Sequence, residues 1–148
     1  MSKAIIVKLV LVLGAALWLA GAPTTLLAEQ QFYPKDGFVT WDRENLAGGV
    51  GTLAGKFSFT RNDAKEEFVI KEIGWLTLPP GASVGLHKHE DNEDAFIIVS
   101  GKGLFTDSDG TKTEVGEGDV TIARPGDSHA LENIGTEDLI FIAVLAKR

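Results

Sequence analysis

From residue 56 to residue 145 the chain is a series of short apolar or alternating runs, each stopped by glycine, proline or aspartate. Residues 56–60 alternate, which puts Phe57 and Phe59 on one face of an extended strand. Residues 68–78 form a longer extended candidate, closed by Pro79-Pro80-Gly81. Residues 95–99 are apolar and rich in β-branched side chains, and they end near Gly101. Residues 103–106 and 111–115 flank the turn Asp107-Ser108-Asp109-Gly110, and residues 118–123 and 139–145 complete the set. No window after residue 28 sustains a 3.6-residue period with helix caps. Short strands at regular spacing with turn residues between them predict an all-β sandwich or barrel. No block is duplicated, so one domain is expected.

The N-terminus follows a different pattern. Lys3 and Lys8 precede an apolar run from Leu9 to Ala20, and residues 1–28 contain no acidic residue. A charged front, a short apolar middle and a small-residue exit at Ala28 are those of a secretory signal peptide. An uncleaved anchor is the alternative, but the apolar run falls short of the roughly 20 residues that span a bilayer. Cleavage after Ala28 would place the protein in the periplasm or outside the cell. Residues 29–47 read as a polar arm with Phe32, Tyr33, Phe38 and Trp41 irregularly spaced, and residues 48–148 as the β domain. The arm's aromatics need burial, on the domain's own sheet or on a second subunit.

Composition narrows the partners. The 148-residue chain carries a formal charge of −7, which becomes −9 once Lys3 and Lys8 are removed. Such a surface repels nucleic acid and anionic lipid. Cysteine is absent, which excludes disulfide staples, thiolate ligands and redox thiols, so the core must supply the stability, helped by a metal.

The chain has three histidines. His87 and His89 form an H-x-H pair whose rings share one face of a strand, and His129 follows in a P-G-x-x-H turn. Neutral imidazole is the commonest metal ligand. With every imidazole assigned to one site, no histidine remains to activate Ser100 or Ser128, and a hydrolytic triad is excluded. A paired-carboxylate glycosidase lacks two opposed acidic walls. Gly48-Gly49-x-Gly51 lacks the ending of a phosphate loop. Within the acidic run, Glu90, Asp91 and Asn92 read as a solvated loop. Glu93 and Asp94 open a strand and must face opposite ways. If Asp94 faces inward, Phe96 and Ile98 share its face; if Glu93 does, Ala95, Ile97 and Val99 do, and periodicity does not decide between two apolar sets. Trp75, Phe96 and Phe105 are either cavity lining or plain core.

Gly81-x5-His87-x-His89-x4-Asp94-x6-Gly101 resembles the first signature of the cupins. Gly118-Asp119-x4-Arg124-Pro125-Gly126-x2-His129-x3-Asn133 resembles the second. The resemblance implies a conical β-barrel of jelly-roll type, a homodimer, and one divalent metal held by three imidazoles and a carboxylate. The x6-Gly spacing assigns the carboxylate to Asp94, where the family usually has glutamate; Glu93 and a water are the alternatives. Arg124 stands where the family usually has proline. It is either a salt-bridged rim residue or a clamp for an anionic ligand, which guanidinium binds bidentately. Asn133 is expected to bond turn backbone.

Such a donor set suits Mn, Fe, Ni, Cu or Zn. The resulting expectation is an exported single-domain metal protein acting on a small anionic metabolite, with dioxygenase- or decarboxylase-like chemistry. A non-catalytic binding protein and a sugar isomerase are the competing readings, because fold does not imply function.

Overall fold

The computed structural model describes residues 29–147. The expected signal peptide, residues 1–28, lies outside the described residues. Residues Gln31–Arg148 form one compact unit. It is built of ten strands: β1 (Val39–Glu44), β2 (Thr52–Phe59), β3 (Ile70–Leu78), β4 (Ser83–Lys88), β5 (Glu93–Ser100), β6 (Lys102–Thr106), β7 (Lys112–Gly116), β8 (Val120–Ala123), β9 (Ser128–Asn133) and β10 (Leu139–Ala146). Among the described residues no helix is long and apolar enough to cross a membrane.

The strands form two antiparallel sheets. One has six strands in the order β1-β2-β3-β10-β5-β8, and the other has four in the order β4-β9-β6-β7. This is a jelly-roll arrangement, all-β as the strand pattern predicts, although the two sheets do not join into one continuous ladder.

Alternation along each strand builds the core between the sheets. Leu53 and Phe57 of β2, Leu76 and Leu78 of β3, Phe96 and Ile98 of β5, and Phe141 of β10 point inward from the larger sheet. Val84, Val115 and Leu131 answer from the smaller one. The outward positions are the intervening residues, so Trp75 of β3 is 42% exposed and belongs neither to the cavity nor to the core.

The segment read as an arm contributes a strand. β1 pairs with β2 from Val39↔Phe57 to Glu44↔Thr52, so the sheet begins nine residues before residue 48. Trp41 stacks on Phe57 with ring centroids 4.8 Å apart, and Tyr33 lies 5.2 Å from Phe59. These two aromatics are therefore seated on the chain's own sheet. The sequence signal was weak because Thr40, Asp42 and Glu44 face outward on an edge strand.

Gly55 and Gly74 flank the buried ring of Phe57. A methyl group at Gly74 would lie 2.4 Å from Phe57 Cε1, and one at Gly55 would lie 2.5 Å from Phe57 Cε2. Glycine on the two facing strands thus makes room for the largest side chain in this part of the core. We expect Gly74→Ala to destabilise the protein by about 2 kcal/mol, the usual cost of overpacking a rigid core, as read from the midpoint of urea denaturation.

Two backbone approaches shape the entry to β4. A Cβ at Gly49 would lie 2.1 Å from the Ser83 carbonyl oxygen, and one at Gly85 would lie 2.1 Å from that of Ala47. The glycine-rich turn before β2 therefore packs backbone against backbone on β4, two residues before His87. Asn133 is buried where β9 ends. Its Nδ2 donates to the carbonyls of Leu78 (2.7 Å) and Glu137 (2.8 Å), and its Oδ1 accepts from Gly135 N–H (2.8 Å). It bonds turn backbone, as expected.

Candidate metal centre

The three imidazoles come together through strand pairing. His87 on β4 lies directly opposite His129 on β9, so His129 belongs to a strand and not to the turn that precedes it. That turn is set by Gly126 at φ +98°, a left-handed conformation suited to glycine. Although β4 ends at Lys88, the His89 backbone continues the ladder. Its N–H donates to the Asp127 carbonyl (2.9 Å), and its carbonyl accepts from Gly126 N–H (2.7 Å). His87 and His89 therefore share a face, two residues apart.

Asp94 arrives from the other sheet. It pairs with Leu145 on one side and Ala123 on the other. It shares the inward face of β5 with the buried Phe96 and Ile98, while Glu93 points outward and is exposed. His87, His89, Asp94 and His129 bring one ligand atom each to within 4.8 Å of all the others.

The spacing has a definite form. His89 Nε2 lies 3.0 Å from His129 Nε2, and His129 Nε2 lies 3.2 Å from His87 Nε2. Asp94 Oδ2 lies 3.8 Å from the Nε2 atoms of both His89 and His129. Two ligands held about 2.1 Å from one ion lie about 3.0 Å apart at right angles and about 4.2 Å apart when opposite. All four distances fall within that span. The shorter aspartate is thus near enough to share an ion with the imidazoles.

Hydrogen bonds on the far side of two rings fix their tautomers. His87 Nδ1 lies 2.9 Å from the Gly85 carbonyl, and His89 Nδ1 lies 2.6 Å from Asn92 Oδ1. Both oxygens are acceptors, so each Nδ1 carries the proton and each Nε2 turns a lone pair towards His129. Metal-ligating histidines are oriented in this way by outer partners. Asn92 is therefore no solvated loop residue: three positions after His89, it aims that ring. We expect Asn92→Ala to weaken metal binding about tenfold with the fold unchanged, as measured by calorimetric metal titration.

Burial leaves this cluster short of partners. His129 is fully buried, and His89 is 7% exposed. Phe96 stacks on the His129 ring at 4.6 Å and 22°, and Phe105 stands edge-on to it at 6.0 Å. His129 Nδ1 and Asp94 Oδ1 are buried without a hydrogen-bond partner. Burial, aided by the charges of His87 and His89, pushes the His129 pKa down to about 3. Burial also lowers His87, although the Gly85 carbonyl opposes it. The Asp94 carboxyl is pushed up to about 7, first by burial and then by the charge of Glu72, against the pull of Arg61. Three Nε2 atoms crowded on one point and a carboxylate with a partnerless oxygen are what a cation would satisfy, and the donor set fits a divalent transition metal better than Ca or Mg.

His87, His89 and Asp94 open onto a cavity of about 680 Å³ between the sheets. Arg124, taken as a clamp at the cavity mouth, is not among the lining residues. It is exposed in the turn before β9, where its backbone N–H donates to Asp127 Oδ2 at 3.0 Å. It forms no ion pair among the described residues, so the rim salt bridge is not seen either. The cations that do line the cavity are Arg43 of β1, Arg61 and Lys88. Arg61 pairs with Glu72, which lines the same wall (3.3 Å). Only alternation with Trp41 could have pointed to Arg43. For Arg61, in a polar stretch between strands, the sequence carries no signal.

Comparison with known proteins agrees with this architecture. The cupin domain family matches residues 74–145. An oxalate-binding protein of Thermotoga maritima is 46% identical over 70 residues, 47% of this chain and 57% of that protein. The match thus spans a little over half of that relative. The crystal structure of a predicted oxalate decarboxylase from Thermotoga maritima superposes with a TM-score of 0.71 and 31% identity, over 79% of this chain and 99% of that one. The cupin domain of Schizosaccharomyces pombe Cnp3 gives a TM-score of 0.54 and 26% identity, over 64% and 65%. The signatures around the three histidines, the two-sheet fold and these matches together place the chain in the cupin superfamily.

Proposed function

We propose that this protein is an exported single-domain cupin that holds one divalent transition metal through His87, His89, Asp94 and His129 and captures a small chelating acid on it. The observation that carries this reading is the convergence of three Nε2 atoms at 3.0 and 3.2 Å, two of them with their tautomers fixed from behind. When bound, such a metal supplies a Lewis-acidic centre for a carboxylate or α-hydroxy oxygen. The names given to the Thermotoga maritima matches support oxalate or a similar acid as the ligand.

The chain's own residues define the rest of the site. Phe96, Leu53 and Leu76 give the cavity an apolar wall, which lowers the local dielectric and strengthens any charge pairing inside it. Arg43, Arg61 and Lys88 supply positive charge along a protein that is otherwise acidic. Glu72 is the one further carboxyl on this wall, its side chain 13% exposed and held by Arg61. It favours a second reading, decarboxylase-like turnover, because it puts a second carboxylate on the wall of the cavity onto which the metal site opens. Dioxygenase-like chemistry has no comparable residue to recommend it.

The test is calorimetric titration of oxalate into protein loaded with Mn(II), alongside metal-free protein, with formate assayed after incubation. Binding that requires the metal supports the reading, and formate release adds turnover. A metal-loaded protein that binds no small acid would reject it. Export is tested by N-terminal sequencing of protein from its native source, which should begin at Glu29. The homodimer is part of the same reading. Trp75, Ile97 and Val120 form an exposed apolar row across the outer face of the larger sheet, a surface a second copy could cover.

A further inference from the structure

The cavity, open to solvent at its mouth, has room and positive charge beyond what a ligand the size of oxalate would use. Oxalate displaces roughly four waters, about 120 Å³ at about 30 Å³ each, whereas the cavity measures about 680 Å³. Its metal-facing end is formed by His87, His89 and Asp94, and β1 contributes Trp41 and Arg43 to the wall. These two residues, spaced i and i+2, share one face of the strand. The Arg43 guanidinium lies 4.7 Å over the Trp41 ring, and Trp41 in turn stacks on the buried Phe57 at 4.8 Å. The guanidinium therefore caps a column anchored in the core.

The three cations of the wall differ in what already holds them. Arg61 is bound to Glu72 at 3.3 Å, and Lys88 to Glu90 at 3.1 Å. Arg43 forms no ion pair among the described residues; its contact is with an aromatic face. Stacking occupies the flat face of a guanidinium and leaves its N–H edge available, and that edge matches a carboxylate bidentately. Arg43 is thus the cation of the wall that is both positioned and uncommitted.

We infer that the ligand is a diacid with separated groups: a chelating α-hydroxy- or α-oxo-carboxylate head at the metal-facing end and a second carboxylate received by Arg43. This inference rests on the proposed metal site and names the class of acid it takes. Arg43 acts here as a specificity-determining residue, selecting diacids over monoacids with the same head.

The experiment uses the full Mn(II)-loaded protein and compares L-lactate with L-malate and 2-hydroxyglutarate, three acids with one α-hydroxy-carboxylate head. At least one diacid should bind tenfold or more tightly than lactate. Arg43→Gln should remove that preference, lowering diacid affinity tenfold or more and lactate affinity far less, with metal content unchanged, and Arg43→Lys should restore only part of it. Equal affinity for all three acids overturns the inference, as does a preference that survives in Arg43→Gln or disappears instead in Arg61→Gln. If no acid binds metal-loaded wild type, the proposed metal-and-acid reading itself has failed and the inference falls with it. If lactate and oxalate bind without any preference for a diacid, that reading stands and the inference alone is overturned.

Discussion

Replacing His129 by leucine abolishes transition-metal binding while costing the metal-free fold no more than about 1–3 kcal/mol. Two observations lead to this result. His129 Nε2 is the atom that both other imidazoles approach, at 3.0 and 3.2 Å, so its loss breaks the common point of the site. Removing an outer partner of a ligand typically costs about 10–100-fold in metal affinity; removing the central ligand should cost about a thousandfold or more.

The stability half of the prediction follows from burial. His129 is fully buried, stacked on Phe96, and its Nδ1 has no partner. Leucine removes that unsatisfied nitrogen, but it also takes away the Nε2 partner that His89 and His87 have at 3.0 and 3.2 Å, and leaving a buried polar group unsatisfied costs about 1–3 kcal/mol. Metal binding to the folded state adds about 4 kcal/mol at a thousandfold excess over Kd. Thermal denaturation should therefore show a metal-induced rise in Tm for the wild type, no such rise for His129→Leu, and an unchanged or modestly lower Tm for the metal-free variant. A variant that retains the metal-induced rise would show that the ion, if any, is held elsewhere.

Metal affinity should also depend steeply on pH on the acid side of neutrality. Burial raises the Asp94 carboxyl to about 7 in the metal-free site, and the metal requires its ionised form. Below pH 7 each binding event must expel that proton, so the fall in affinity approaches tenfold per pH unit and amounts to about fiftyfold between pH 7 and pH 5. Above pH 7 the carboxylate is already ionised and the dependence flattens. His129, pushed down to about 3, keeps its lone pair available in this window, and burial shifts His87 in the same direction. Calorimetry in two buffers of different ionisation enthalpy should count about one proton released at pH 6. Asp94→Asn should bind metal more weakly and lose this release. An affinity that is flat from pH 5 to pH 7 would contradict the assignment.

The same shifts set the stability of the metal-free protein, with opposite signs. Asp94 has a folded pKa above its unfolded value of 3.8. The folded state therefore binds more protons between about pH 4 and pH 7, and this stabilising contribution is lost as pH rises through that range. His129 has a folded pKa below 6.5, so its contribution is lost as pH falls from 6.5 towards 3.

How far the sequence reveals this depends on which residues carry a local signal. Strands with clean alternation or a β-branched run, such as β5 and β10, are legible because period-2 patterning reports burial directly. The two signatures bring His87, His89 and His129 into one site because their order and glycine spacing encode a specific pairing of β4 with β9. Alternation does not orient Asp94 against Glu93, since both faces of β5 are apolar in sequence; only the spacing to Gly101 favours Asp94. β1 was missed because an edge strand with Thr40, Asp42 and Glu44 outward resembles a polar arm. Arg124 misled for a related reason. Its proximity in sequence to His129 says nothing about which side of the turn its side chain occupies. The cavity's cations come instead from β1 and from the loop after β2, and no local pattern announces that approach.

The most direct measurement is an anomalous-scattering map from a crystal of the protein loaded with Mn(II) or Co(II). The account predicts one strong peak about 2.0–2.3 Å from the Nε2 atoms of His87, His89 and His129, with an Asp94 oxygen in the same shell. A peak elsewhere, or a loaded crystal without one between these three rings, would contradict it.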